Sequence, residues 1–216
     1  ADVYGHSVPR LMNLVGQRPT AIDQTFIPLE SHGVKVVSME MFKPDRADPI
    51  AYRGPLLHRV LEQLLSDAYW GDLDLLLLDL PPGTGDIQLT LAQKVPVTGS
   101  VIVTTPQEMA LTDARRAMGM FSMEAVNKRI LGVVENMSYF TPEDAPDKKY
   151  RLFGEGGGQT LSAEYNVPFL GELPLNPALM QHIDQGNITA ASPELLPYYP
   201  VASALAQQVS MLQITK

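Results

Sequence analysis

The stretch of sequence that decides the fold is Leu73–Asp86, which reads LDLLLLDLPPGTGD. Its five leucines between Leu73 and Leu78 are interrupted only by Asp74, so this run leaves no polar side for water. Such a run is typical of a strand that is buried on both faces of a parallel sheet. The Pro-Pro-Gly-Thr-Gly segment that follows cannot continue a strand or a helix, and the chain must therefore turn soon after Asp79.

Asp79 is the first candidate site residue, because it stands where the predicted strand ends. Open α/β sheets bind their ligands at the carboxyl ends of the strands. A carboxylate there, followed by a glycine-containing loop, suits an acid that holds Mg²⁺ through water, with the Gly83 N–H available to a terminal phosphate. A strand that ends in Asp is also common without any function, so a plain strand and turn is an equally good interpretation of these residues alone.

The rest of the chain alternates between predicted strands and predicted helices. Strands are predicted over 34–39, 99–105, 130–134 and 167–173, and helices over 54–68, 86–94, 112–125, 159–165, 177–183 and 200–212. This alternation predicts an α/β fold with a doubly wound, mainly parallel sheet flanked by helices. A length of 216 residues is enough for one sizeable core, so we expect a single domain over 1–216.

Composition narrows the range of partners and locations. The formal net charge of −8 argues against an electrostatic nucleic-acid surface and against docking on anionic membranes. No apolar run approaches the ~20 residues of a membrane span and no signal peptide is recognisable, so the cytoplasm is the expected location. The chain has no cysteine, which excludes disulfides, thiolate nucleophiles and thiolate-bound metals within it.

Seven short motifs occur along the chain, and together they point to one family. They are ADVYGHSVPR at 1–10, YRGP at 52–55, DLPPGTGD at 79–86, TTPQE at 104–108, ENMSY at 135–139, FGEGGG at 153–158 and LPLNP at 173–177. In this order they resemble the Mrp (ApbC-like) family of P-loop ATPases, which are relatives of the nitrogenase iron protein and of the MinD and ParA partitioning ATPases. Segment 79–86 is similar to the switch II of that family and segment 1–10 to its switch I.

The resemblance implies an Mg²⁺-dependent ATPase with a P-loop NTPase-like fold, associated with iron–sulfur cluster assembly or transfer. It implies a homodimer with nucleotide near the subunit interface, and iron–sulfur client or scaffold proteins as partners. Carried over onto this sequence, the site consists of an acid that positions the attacking water, an acid that holds magnesium, phosphate-contacting loop residues and adenine-contacting residues. In this assignment Asp2 positions the water and Asp79 holds magnesium. Gly83 and Thr84 contact the phosphates, and Asn136 and Pro174 contact the adenine.

Each carried-over role has a plainer alternative. Asp2 can be a solvated acid without a role, Asn136 a turn-forming residue at a strand end, and Pro174 a residue that only ends a strand. Arg53 either faces the nucleotide side, as the family suggests, or is an ordinary surface cation. The glycines at 154–158 lack the lysine of a phosphate loop and follow no predicted buried strand, so we interpret them as a flexible lead into a helix.

The sequence departs from the family pattern in two places. No G-x-x-x-x-G-K-[ST] motif or lysine-glycine-glycine variant occurs, so hydrolysis is implied only by resemblance, and we expect the chain to be the carboxyl-terminal part of a longer protein. Many family members carry C-x-x-C after the ENMSY element, where this chain reads FTPEDAPDKKY at 140–150. We therefore expect no iron–sulfur cluster on this chain by that route, and a solvated acidic loop rather than a hard-cation site at Glu143, Asp144 and Asp147.

Two other functions are compatible with these residues. One is a non-catalytic or truncated nucleotide-dependent scaffold. The other is a partitioning-type, MinD- or ParA-like ATPase, which the lack of Lys and Arg in the helix at 200–212 disfavours. The resemblance also places a strand absent from this sequence beside the leucine run. We therefore expect either that the chain is prone to aggregate or that the run pairs directly with 101–103.

Overall fold

The structure is a computed structural model that describes residues 1–3, 6–23, 25–42, 63–81 and 83–214. The chain forms two compact units, the first made of Ala1–Leu91 with Met180–Ala190 and the second of Ala92–Leu179 with Ala191–Lys216. The features predicted at Arg53 and over 54–62 lie outside the described residues. None of the helices in the described part of the chain combines the length and the hydropathy of a membrane span.

The first unit contains short elements built around two antiparallel hairpins. Helix α1 (Ser7–Leu11) precedes the strand pair β1 (Thr20–Ile22) and β2 (Thr25–Ile27), and β3 (Leu29–Ser31) pairs with β4 (Val34–Val36). The β3–β4 turn is His32-Gly33, with φ of 52° and 75°. Two-residue hairpin turns of this type need positive φ at both positions, and the glycine accepts that conformation without strain.

The buried apolar residues of the first unit gather around the end of β4. A 3-10 turn, Met39–Phe42, follows that strand, and residues 63–66 are helical. One cluster comprises Val37, Met39, Leu64 and Ala68, with Phe26 and Trp70 packed against it; the other comprises Leu14, Val36 and Met41. Successive residues at the end of β4 therefore pack into two different apolar clusters.

The leucine run differs from its sequence prediction. Residues 73–78 form no strand, and the side chains of Leu75 and Leu77 are 59% and 72% exposed. The expected strand buried on both faces is therefore wrong. A run of leucines is buried only where neighbours take up its backbone hydrogen bonds and cover its side chains. Among the described residues, β-bridge pairing begins only at Asp79, and before it the Leu77 carbonyl accepts a hydrogen bond from the Ala1 amino group.

The second unit is built on a three-stranded parallel sheet. Its strands are β5 (Ser100–Thr104), β6 (Ile130–Tyr139) and β7 (Phe169–Pro174), in the order β5-β6-β7. The helices after the leucine run are α2 (Asp86–Lys94), α3 (Glu108–Ser122), α4 (Gly157–Glu164), α5 (Pro177–Gln185) and α6 (Tyr198–Ile214), with a 3-10 turn at Pro193–Leu195. The alternation of parallel strands and helices confirms the predicted α/β class.

Strand β6 lies at the centre of this sheet, and helices cover both of its faces. Val133 is fully buried and Val134 is 4% exposed. Val134, Leu170 and Leu173 form a cluster against α6, with Tyr198, Val201, Ala204 and Leu205. Because successive strand residues point to opposite faces, Glu135 points away from α6, and its carboxylate meets the start of α4.

Helix α3 begins earlier than the sequence suggested. The predicted start was Thr112 or Asp113, but the helix begins at Glu108, since Gln107 is extended with φ −67° and ψ 140°. Glu108 places a negative charge in the first turn, where the helix dipole favours it. Met118 and Met120 of this helix are buried in the core.

Candidate functional site

Asp2 and Asp79 are backbone neighbours in the first unit. The segment around Asp2 lies between the end of β4 and Asp79, in parallel pairing with Ser38 on one side and with Asp79 on the other. The Asp2 N–H donates to the Val37 carbonyl at 2.8 Å, and the Val3 N–H donates to the Asp79 carbonyl at 3.2 Å. Two segments far apart in sequence thus bring two carboxylates to one edge of the unit.

Asp2 is a buried acid rather than a solvated one. Asp2 is 1% exposed, and its Oδ2 accepts a hydrogen bond from the Ser38 hydroxyl at 3.1 Å. Ser38 is itself fully buried, and its hydroxyl also accepts from the Glu40 N–H at 3.2 Å. Nothing in the sequence distinguished Ser38 from other serines, because its importance depends on the neighbour that folding brings to it.

Asp79 is the exposed member of this carboxylate pair. Partial burial raises the pKa of its carboxyl group above the ordinary value of 3.8, the negative charge of Asp2 raises it further, and the Ala1 ammonium group opposes both. When two acids lie side by side, a bound cation stabilises their ionised forms, because its positive charge offsets the repulsion between the two carboxylates. The pair therefore has the chemistry of a site for a hydrated divalent cation.

The loop after Asp79 is held by a glutamine that the sequence analysis did not single out. Gln88 is 4% exposed, and its side-chain amide donates to the Pro81 carbonyl at 2.9 Å. Gly83 is exposed with φ of 101°, a conformation that favours glycine, and Thr84 is half-buried.

Asn136 and Pro174 lie near the carboxyl ends of neighbouring strands in the second unit. Tyr139 of β6 pairs with Pro174 of β7, while three residues of β6, 136–138, lie opposite Leu173 alone. This bulge is where Met137 takes a positive φ of 53° and donates its N–H to Asn136 Oδ1 at 2.9 Å. The second lone pair of that oxygen and the amide N–H₂ group can still bind a partner such as a nucleotide base.

The glycine-rich segment before α4 serves close packing. A Cβ at Gly157 would lie 2.7 Å from a Leu111 methyl carbon, and one at Gly158 would lie 2.9 Å from Glu135 Cβ. The start of α4 can therefore sit directly against α3 and β6 only if both positions are glycine. Phosphate binding is not needed to explain these glycines.

The segment at 140–150 is a closed hairpin. Phe140 and Tyr150 exchange two backbone hydrogen bonds of 2.9 and 2.8 Å, and the Lys149 ammonium lies 4.1 Å from the centre of the Tyr139 ring. Arg151, which follows, contacts Glu172 with both terminal nitrogens at 3.2 Å. Among the described residues, which include this hairpin, no three or more His, Asp or Glu side chains are grouped so as to hold a metal ion.

The two units therefore carry different parts of the predicted site. Asp2, Asp79, Gly83 and Thr84 belong to the first unit, where the two acids adjoin each other. Asn136 and Pro174 belong to the second, where both lie near one end of the sheet. The fold, a parallel three-stranded sheet flanked by helices, is that of an α/β protein of the P-loop NTPase class.

Comparison with known proteins places the chain within that class. The family model described as ParA, NUBPL iron-transfer P-loop NTPase, matches residues 1–210, and the chain belongs to this family. Relatives named iron-sulfur cluster carrier protein include one from Synechocystis sp., 45% identical over 98% of this chain and 61% of its own length. Another, from Deinococcus radiodurans, is 45% identical over 100% of this chain and 61% of its own length. The chain thus spans about three-fifths of these relatives.

Solved structures give the same fold. A nucleotide-binding protein in complex with ADP from Archaeoglobus fulgidus is 32% identical, with a TM-score of 0.75 over 92% of this chain and 77% of that one. The MinD cell division protein of Aquifex aeolicus is 15% identical, with a TM-score of 0.51 over 98% of this chain and 81% of that one. The second likeness shows the shared fold alone.

Proposed function

We propose that this chain is the nucleotide-responsive part of an Mrp-type protein that binds and hydrolyses ATP in the course of iron–sulfur cluster assembly or transfer. The observation that carries the proposal is the adjacent pair of acids, Asp2 and Asp79, followed by the exposed loop residue Gly83. Membership of the iron-transfer NTPase family supports the cluster-related role.

In the proposed reaction the two acids have separate tasks. Asp79, being exposed and electrostatically poised for a cation, holds Mg²⁺ through its water shell. Asp2 lies beside it and accepts a hydrogen bond from Ser38, which fixes the carboxylate that we assign to orienting the attacking water. Gly83 and Thr84 contact the phosphates.

Recognition of the base is assigned to the second unit. The Asn136 side chain offers both a donor and an acceptor, which match the edge of adenine. Pro174, paired with Tyr139 beside the bulge, contributes backbone contacts at the same end of the sheet. These roles follow the family resemblance, and the position of both residues near the strand ends supports them.

The cargo and the assembly state complete the proposal. The chain has no cysteine, so a transferred cluster is held by thiolates outside these 216 residues, on client or scaffold proteins or elsewhere in a longer protein. We propose a homodimer in the cytoplasm, with residues 1–216 forming one nucleotide-binding domain.

Isothermal titration of the chain with Mg·ATP tests the proposal. Because the sequence holds no lysine-containing phosphate loop, we expect weak binding with a Kd on the order of 1 mM, corresponding to about 4 kcal/mol. Asp79→Asn should weaken the binding of Mg·ATP but not that of ATP without Mg²⁺, and Asp72→Asn, a nearby exposed acid, is the control. A folded sample that releases no heat at millimolar Mg·ATP would remove the enzyme function for this chain.

A further inference from the structure

Glu135 is a buried acid that the proposed reaction does not use. Its residue is fully buried within β6, between Val134 and the bulge that carries Asn136. One carboxylate oxygen, Oε2, accepts a hydrogen bond of 2.6 Å from the Gly158 N–H at the start of α4. The other, Oε1, is buried and has no hydrogen-bond partner among the described residues.

Burying this group works against stability, which is why it calls for an explanation. A buried carboxylate oxygen without a partner is costly, and an apolar residue would fill the same space without that cost. The amino-terminal end of α4 and the nearby positive charge of Arg151 offset part of the cost. The gain must lie in what the carboxylate holds in place.

Glu135 takes part in both sides of one junction, through its carboxylate on the helix side and through its backbone carbonyl on the strand side. On the helix side, Gly158 approaches so closely that a Cβ there would lie 2.9 Å from Glu135 Cβ and 3.2 Å from Oε2. On the strand side, the Glu135 carbonyl accepts a 2.9 Å hydrogen bond from the hydroxyl of Ser138, a fully buried residue. Glu135 and Ser138 therefore close the bulge at its two ends, with Asn136 and the left-handed Met137 between them.

We propose that Glu135 is a positioning residue for nucleotide recognition: it fixes the β6 bulge to the start of α4 and so sets the direction in which the Asn136 amide points. The assignment rests on the proposed function, since it takes Asn136 as the residue that receives the base. Glu135 itself is buried and touches no ligand. Its effect is on base selectivity, because a bulge that can shift no longer presents donor and acceptor groups in one orientation.

Three variants of the full chain test the assignment. Glu135→Ala removes the link to Gly158, whereas Glu135→Gln keeps an oxygen that can accept the same N–H. Ser162→Ala is the matched control: it removes another buried side-chain hydrogen bond of α4, from Ser162 to the Val167 carbonyl, without touching β6.

The first measurement needs no nucleotide. In ¹H–¹⁵N spectra, Glu135→Ala should shift the amide signals of Gly158, Asn136 and Met137 and speed their hydrogen exchange at least ~10-fold, since exchange follows the free energy of local opening. Glu135→Gln should restore the exchange of Asn136 and Met137, and Ser162→Ala should leave both unchanged. If the two amides keep wild-type shifts and exchange in folded Glu135→Ala, the assignment is wrong.

The second measurement compares the affinities for Mg·ATP and Mg·GTP. Wild-type chain should prefer ATP, and Glu135→Ala should lower the ATP-to-GTP preference about 10-fold, while Glu135→Gln and Ser162→Ala stay within about twofold of wild type. An unchanged preference in Glu135→Ala overturns the assignment. If wild-type chain binds neither nucleotide, the proposed function fails, and the positioning of Asn136 is then judged by the amide measurement alone.

Discussion

Residues 73–78 and 130–134 are both apolar runs that end beside a carboxylate, yet the structure treats them in opposite ways. Strand β6 lies between β5 and β7 and is buried throughout 130–134. The leucine run has no ladder partner among the described residues until Asp79, and Leu77 is 72% exposed. The comparison shows that an apolar sequence makes a segment suitable for burial, whereas the presence of strand partners on each side decides whether the segment is buried.

The acids that end these runs differ for the same reason. Asp79 is exposed next to Asp2, where a cation can reach it. Glu135 is enclosed by the start of α4, so its carboxylate is committed to an internal contact. The leucine run thus ends at a carboxylate that is open to solvent, whereas the buried run ends at a carboxylate that is bonded to the start of α4.

The largest difference in the free energy of unfolding is expected when a charged residue is placed in each of the two apolar runs. Val133→Asp should destabilise the second unit by more than about 4 kcal/mol, because it buries an unpaired carboxylate, whereas Leu77→Asp should change stability by less than about 0.5 kcal/mol. Denaturant unfolding followed by circular dichroism measures both. Equal losses from the two variants would mean that the leucine run is as buried as β6.

A methyl group added beside Glu135 gives the next largest effect. Gly158→Ala should cost about 1–3 kcal/mol, since its Cβ would lie 2.9 Å from Glu135 Cβ and 3.1 Å from the Phe169 ring. Gly119→Ala in α3 is the control: a Cβ there meets nothing within 4 Å, so the change should stabilise by up to ~1 kcal/mol. If both variants gain stability in thermal unfolding, the close packing of α4 on β6 is wrong.

The exposed leucines should also govern self-association. The double variant Leu75→Lys/Leu77→Lys should slow aggregation several-fold, roughly threefold or more, because charges on an unpaired apolar segment oppose strand addition from other chains. Met109→Lys replaces a single apolar side chain that is 85% exposed on α3, and it should have little effect. Light scattering on heating distinguishes them, and equal behaviour of the two variants would contradict this role of the run.

The smallest effect concerns the pH dependence of stability at Asp79. Its pKa is raised in the folded chain, so ionising the carboxyl costs stability as pH rises from 3.8 through the raised value. Asp79→Asn removes that cost at pH 7. Since the side chain is exposed and screened by solvent, the gain should be below ~1 kcal/mol, or about 1–3 °C in Tm.

The pH profile provides the control for that variant. At about pH 2.5, well below the ordinary pKa of 3.8, the carboxyl group is largely protonated in both folded and unfolded chains, so wild type and Asp79→Asn should melt at the same temperature. A difference that is constant across pH, or a loss of stability at pH 7, would contradict the raised pKa.

The sequence predicted those features that depend on local pattern. The α/β class is confirmed, and the expected positions of β5, α2, α5 and α6 agree with the structure within a few residues. These elements have regular apolar spacing or β-branched runs bounded by turn residues. The family was also correctly identified, because its motifs occur along the chain in the order typical of the family.

Features that depend on distant partners were missed. The burial of Asp2, its hydrogen bond from Ser38 and the contact between Glu135 and Gly158 join residues that are 36 and 23 positions apart. The exposure of the leucine run is a failure of the same kind. A glutamate directly after the apolar run at 130–134 is the signal in the sequence that points to the junction with α4.

The most direct test of the central claim is to locate the metal of the bound nucleotide. With Mn²⁺ in place of Mg²⁺ and ATP present, paramagnetic broadening should first remove the amide signals of Asp2, Val3, Asp79 and Gly83, and Asp79→Asn should restore them. Persistence of those four signals while the amides of 143–147 disappear would show that the metal binds at the acidic hairpin and not at the Asp2–Asp79 pair.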